Sequence, residues 1–145
     1  MKIAIIGYGK MGRMVHEVAK QKQLEVVTVI DNEDDWQHHG DKLNDADVAI
    51  EFTIPAVAGT NMMRCLKAGI PVVSGTTGCE EQIEAAKEFI SSSGGAMVHA
   101  SNFSIGVNIL FEINRNLATI MEQHPEYPAE LKEIHNPQKL DAPRG

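Results

Sequence analysis

The sequence predicts the α/β class: a doubly wound parallel sheet, followed by only the start of a second, α+β domain. Three observations predict it. Short apolar runs alternate with stretches of helical periodicity, the pattern of successive βαβ units. The first run leads straight into Gly7-Tyr8-Gly9-Lys10-Met11-Gly12, and that motif leads into a helix. The chain has 145 residues, 43% of them hydrophobic and 23% charged, which suits one folded domain and excludes a disordered or low-complexity chain.

Each element has a local reason. Lys2–Ile6 is an apolar run closed by Gly7, which suits a strand buried on both faces. Met11, Met14, Val15, Val18 and Ala19 recur at helical spacing and predict a helix from Lys10 to about Gln21. Glu25–Ile30 is rich in β-branched residues and forms the second strand. Asp31–Lys42 is acidic and polar, with Trp36 its one large apolar residue, and reads as a loop or a frayed short helix. Asp47–Phe52 is the third strand. Pro55 opens a helix that reaches about Ala68, where Gly69 caps it. The fourth strand begins at Pro71-Val72-Val73. The helix Glu80–Ser92 turns Ile83, Ala86, Phe89 and Ile90 inward and ends at Gly94-Gly95. Ala96–Ala100 is the fifth strand. A long helix from Asn108 to about Gln123 carries Leu110, Ile113, Leu117, Ile120 and Met121. Pro125 and Pro128 interrupt the chain there, placing a domain boundary between residues 126 and 127, with a strand from Glu130 onward.

Charge narrows the partners. Thirteen basic residues against twenty acidic ones leave a net charge of −7, with no dense Lys/Arg block. Nucleic acid and anionic membrane surfaces are therefore not expected partners. No stretch approaches the ~18 apolar residues of a membrane span, and the N-terminal run lacks a signal-peptide core, so a cytoplasmic location is expected. Cys65 and Cys79 lie 14 residues apart, without metal-ligand spacing, and are expected to be reduced thiols. No metal site is expected. His38-His39 reads as solvated surface, and His16, His99 and His124 show no ligand spacing.

The motifs that carry chemistry point to a dinucleotide. In Gly7-Tyr8-Gly9-Lys10-Met11-Gly12, Gly7 permits a tight turn, Gly9 admits a pyrophosphate against the backbone, and Gly12 lets the helix approach the strand. A strand before this motif and a helix after it make the sheet Rossmann-type. Asp31 ends the second strand, 19 residues after Gly12, where an acidic side chain accepts hydrogen bonds from a ribose 2′-OH. Asn32, Glu33, Asp34 and Asp35 offer no cation for a 2′-phosphate, so NADH is preferred, with NADPH possible. Phe52, at the end of the third strand, either lines the cofactor or belongs to the core, while Thr53 beside it and Gly75-Thr76-Thr77, after the fourth, are placed to line the cofactor. So are Ala100, Ser101, Asn102 and Phe103 after the fifth. His135 and Lys139 are four apart, suiting a proton donor beside a cation that faces an anionic substrate.

These ordered motifs, with Ser101 through Asn108 and His135 through Pro143, resemble the dihydrodipicolinate reductase family of lysine and diaminopimelate synthesis. The resemblance implies an N-terminal dinucleotide-binding domain, residues 1–126 here, and the beginning of a substrate-binding domain in 127–145, the remainder being absent. It implies an oxidoreductase in which NAD(P)H reduces a cyclic, unsaturated dicarboxylate to tetrahydrodipicolinate. His135 matches the family's proton donor, and Lys139 its supporting substrate-binding cation. Asn136 stands where the family has a second, substrate-binding histidine, and Arg144 where it has a serine. The family is usually tetrameric; this fragment is expected to be a monomer or dimer and to stop short of a complete substrate site. The competing reading is a non-catalytic NAD(H)-binding module or redox-sensing subunit, which Asn136 and Arg144 favour. Another Rossmann dehydrogenase is the weaker alternative, against which the His135–Pro143 segment argues.

Overall fold

Five short, largely apolar strands lie side by side and in parallel in the order β2-β1-β3-β4-β5. They belong to a computed structural model that describes residues 1–128, 130 and 132. The chain divides into two units, Met1–Ala100 and Ser101–Gly145. The first contains β1 (Lys2–Ile6), α1 (Lys10–Gln21), β2 (Glu25–Ile30), α2 (Glu33–His39), a 3-10 turn (Gly40–Asp45), β3 (Val48–Glu51), α3 (Pro55–Lys67), β4 (Val72–Ser74), α4 (Glu80–Ser93) and β5 (Met97–His99). The second contains α5 (Ile105–Met121).

Strand periodicity builds two cores from one sheet. Successive side chains of β1 point to opposite faces. Ala4 and Ile6 join Ile30, Ala49, Met62, Cys65, Leu66, Val72, Ile83 and Ala86 on the face covered by α3 and α4. Ile3 and Ile5 join Ala19, with Val15, Val26, Val29 and Ile50 packed against them, on the α1 face. The three β1 isoleucines are all essentially inaccessible, each worth about 1.5–3 kcal/mol of burial.

Some elements differ from the sequence reading. The acidic stretch after β2 is ordered as α2 and the 3-10 turn, because Asn32 Oδ1 caps α2 by accepting from Asp35 N at 3.0 Å. Trp36 packs against the larger core. The fifth helix begins at Ile105, three residues before Asn108: Ser104 is its N-cap, with Oγ accepting from Val107 N at 3.4 Å. Of the α1 stripe, only Ala19 is fully buried, while Met11, Met14 and Val18 remain exposed. The strand expected from Glu130 onward extends beyond the described residues.

Two free thiols, Cys65 in α3 and Cys79 just before α4, are buried in the larger core. Burial first, then the Glu51 charge, pushes the Cys65 thiol up to about 12, and the same causes in the same order raise Cys79. An unfolded thiol titrates near ~8.5. Above that pH the unfolded chain gives up a proton that the folded chain keeps, so stability falls as pH rises. For Cys65 the window runs from about 8.5 to about 12, with a slope of up to about 1.4 kcal/mol per pH unit. Urea unfolding at pH 8.0 and 9.5 should show this loss, and Cys65→Ala should make the decline shallower.

Candidate functional site

In an open parallel sheet a ligand finds its crevice where strand order reverses, beyond the C-terminal ends of the strands. Here β1 is followed by β2 on one side and by β3 on the other, so the reversal lies between β1 and β3. The strand exits are fastened to one another. Gly7 N donates to Ile30 O at 2.7 Å, Phe52 N to Ile6 O at 2.9 Å, Gly75 N to Glu51 O at 3.0 Å and Ala100 N to Ser74 O at 3.3 Å. The loops leaving the strands therefore start from fixed points.

The glycine loop has the space its sequence implies. Gly7 has φ +92°, and a Cβ there would stand 2.1 Å from Phe52 O. At Gly12 a Cβ would stand 1.9 Å from Gly7 O, so this glycine allows α1 to rest on the turn. Gly9 is different: a Cβ there would meet nothing within 4 Å. It is the N-cap of α1 and supplies no side-chain cap, which leaves the first N–H groups of the helix directed at that open space. These features fit a bound pyrophosphate. Tyr8 braces the loop, its OH 2.8 Å from His16 Nδ1, and Arg13 Nε donates to Tyr8 O at 3.2 Å. Lys10 and Met11 are exposed at the start of α1.

Asp31 is brought to the same loop: its Oδ1 accepts from Tyr8 N at 2.5 Å. It lines a cavity of about 290 Å³ with Ile30, Trp36, Thr60, Asn61 and Arg64. Trp36 Nε1 donates to Asn61 Oδ1 at 3.0 Å. Arg64 makes a two-pronged pair with Glu33, both bonds 2.8 Å, and its guanidinium lies 5.0 Å from the Trp36 ring centroid. The hydrogen-bonded pairing holds Glu33 below its usual carboxylate range and Arg64 above its usual range. Sequence reasoning sought a cation only among Asp31's neighbours and so missed Arg64. The signal lay in α3, where Val57, Thr60, Asn61 and Arg64 form an i, i+3, i+4, i+7 stripe that turns polar. Larger open clefts of about 470 Å³ between α3 and α4 and about 830 Å³ beside α4 and β5 contain neither the glycine loop nor Asp31.

At the β3 and β4 exits the organising group is Glu51, which sequence reasoning assigned no role. It is wholly buried. Its Oε1 accepts from Thr53 N at 3.0 Å, from Thr76 Oγ1 at 2.9 Å and from Thr53 Oγ1; its Oε2 accepts from Ser74 Oγ at 2.5 Å. Thr53 and Thr76 are thus tied together beneath the surface, and Thr53 N also donates to Thr76 Oγ1 at 2.9 Å. Phe52 is half-buried with its ring over Gly75, where a Cβ would stand 2.1 Å from the ring. Thr77 is half-buried beside them.

In the second unit, Asn102 Oδ1 accepts from Ser104 N at 2.8 Å, and its carbonyl accepts from Asn108 Nδ2 at 3.0 Å. Ser101 and Phe103 are exposed and Ala100, ending the first unit, is half-buried. His135, Asn136 and Lys139 lie outside the described residues. Among the described residues, no three His, Cys, Asp or Glu side chains are grouped to hold a metal ion, and no helix is long and apolar enough to cross a membrane.

Residues 1–103 match the family model described as dihydrodipicolinate reductase, N-terminus. Over the whole chain, 44% of residues are identical to a 4-hydroxy-tetrahydrodipicolinate reductase of Christiangramia forsetii, of which the chain covers 60%. The reductase of the same name from Staphylococcus aureus is 36% identical, again with all of this chain and 60% of the relative covered. That from Methanopyrus kandleri is 39% identical over 70% of this chain and 37% of its own length. The chain therefore spans about 60% of the length of the first of these relatives. Among solved structures, a putative homoserine dehydrogenase from Archaeoglobus fulgidus superposes with a TM-score of 0.53 at 20% identity, covering 68% of this chain and 42% of that one, which speaks for the fold.

Two substitutions separate the jobs of the glycines. Gly12→Ala should lower the unfolding free energy by about 2 kcal/mol or more, because a backbone carbonyl must move. Gly9→Ala should change it by less than about 0.5 kcal/mol, yet weaken NADH binding about tenfold or more. Denaturant unfolding and calorimetric titration check both. Glu51→Gln replaces an acceptor-only group with one that is half donor, and should lower the unfolding free energy by about 3 kcal/mol, again read by denaturant unfolding.

Proposed function

Because the chain belongs to the dihydrodipicolinate reductase family, we propose that it is the cofactor-binding part of a 4-hydroxy-tetrahydrodipicolinate reductase, a cytoplasmic oxidoreductase of lysine and diaminopimelate biosynthesis. The observation that carries this reading is the meeting of the glycine loop after β1 with Asp31 at the end of β2, beside the β1/β3 reversal. The open space over Gly9 is where the cofactor would need it.

Bound NAD(P)H supplies the hydride. The chain's own residues bind and orient. Backbone N–H groups of the loop Gly7 to Gly12 hold the pyrophosphate. Asp31, with Oδ1 engaged by Tyr8, offers Oδ2 to a ribose hydroxyl and so favours NADH over NADPH. Phe52, Thr53, Gly75, Thr76, Thr77 and the Ala100–Phe103 segment serve the nicotinamide end. Glu51 positions Thr53 and Thr76 from below. His135 donates the proton that accompanies hydride addition, Lys139 pairs with a substrate carboxylate, and Asn136 donates a hydrogen bond to the substrate. Residues 1–126 form the dinucleotide-binding domain and 127–145 open the substrate domain. The full-length protein assembles as the tetramer usual in the family, and the 145-residue chain as a monomer or dimer.

The test is an assay of the full-length protein with enzymatically generated substrate. Substrate-dependent NADH oxidation is expected, and His135→Ala should lower kcat by about 10²–10⁴-fold while NADH still binds. A preference for NADPH above about tenfold would overturn the role given to Asp31. Tight NADH binding with no turnover would instead establish the non-catalytic nucleotide-binding module that Asn136 favours.

A further inference from the structure

The cavity beside Asp31 contains one feature that the proposed function leaves unused. Arg64 is the one cation among its lining residues. It is not loose: its fork is engaged by Glu33 at 2.8 Å on both prongs, and its guanidinium lies 5.0 Å from the Trp36 ring centroid. Trp36 is itself fixed by Asn61, on the same face of α3 as Arg64. An arginine is the side chain suited to a phosphate's oxygens. A carboxylate in its place repels them. Glu33 therefore acts twice against a phosphate in this cavity, by occupying the fork and by its own charge.

We propose that Arg64 and Glu33 together decide whether the site takes a nucleotide with a free 2′-hydroxyl or one with a 2′-phosphate. This rests on the reading of Asp31 as the ribose-binding residue. With Arg64 paired to Glu33, the carboxylate of Asp31 would meet a bound nucleotide's 2′-hydroxyl with no free cation beside it in the cavity lining. An ion pair as exposed as this one is worth little in water, with Glu33 63% and Arg64 36% accessible. The pair can therefore exchange for Arg64–phosphate contact, which keeps NADPH usable. The cation reaches the ribose from α3, on the far wall of the cavity, rather than from the turn after β2.

Calorimetric titration of the full-length protein with ADP-ribose and 2′-phospho-ADP-ribose tests this without the nicotinamide end. Glu33→Gln should shift the affinity ratio about tenfold toward the phosphorylated ligand, and Arg64→Gln about tenfold away from it. If both variants leave the ratio within about twofold of wild type, while Asp31→Ala still weakens ADP-ribose binding, the role of the pair is overturned and the ribose site stands. If wild type fails to bind ADP-ribose, or Asp31→Ala binds it undiminished, the ribose-site reading falls and takes this inference with it.

Discussion

A carboxylate sealed from water needs partners from the protein itself, and Glu51 finds four of them at the sheet's C-terminal edge. That requirement orders much else. Ser74 is the residue of β4 paired with Glu51 in the ladder. A slip of one residue would set the apolar Val73 against a buried charge and turn every β4 side chain to the other face. The carboxylate thus helps hold the register of two central strands. Its remaining partners, Thr53 and Thr76, begin the loops that leave those strands, so the outer surface inherits its geometry from a group that no ligand touches.

On the other side of the reversal, the constraint is steric. The turn after β1 sits between Ile30 and Phe52 through hydrogen bonds and van der Waals contact, with no room for a side chain at Gly7 or Gly12. Crowding at those positions and openness at Gly9 come from the same tight turn. The loop is rigid where it meets protein and bare where a phosphate would approach. Asp31 closes the arrangement from β2, spending one oxygen on the loop's own backbone.

The sheet was legible because each strand is a short apolar run and each helix repeats at its own period. The glycine motif and Asp31 were legible because their spacing is local. Glu51 was harder: in sequence it is a polar residue ending an apolar strand, and only the pairing with β4 reveals its donors. Arg64 was hidden for a similar reason, since 31 residues separate it from Glu33 and only α3 brings them together. The sequence starts the last helix at Asn108, whereas Ser104 caps it four residues before that and Asn108 Nδ2 donates back to the carbonyls of Asn102 and Ser104. Between the loop and the short helix that the acidic stretch after β2 allows, capping by Asn32 decides for the helix.

The packing of α3 on α4 has a wider consequence. At Gly59 a Cβ would stand 2.4 Å from Gln82 Cγ, so the two helices press together where one has no side chain. Arg64 lies five residues further along α3, and α4 begins just after the Thr76 loop. The helix that carries Arg64 to the cavity beside Asp31 is therefore fitted closely against the helix that follows the Thr76 loop, and Gly59 is where that fit leaves no room for a side chain. A side chain at position 59 would force Gln82 or the helices apart, so the seating of the helix that carries Arg64 depends on a residue that has no side chain.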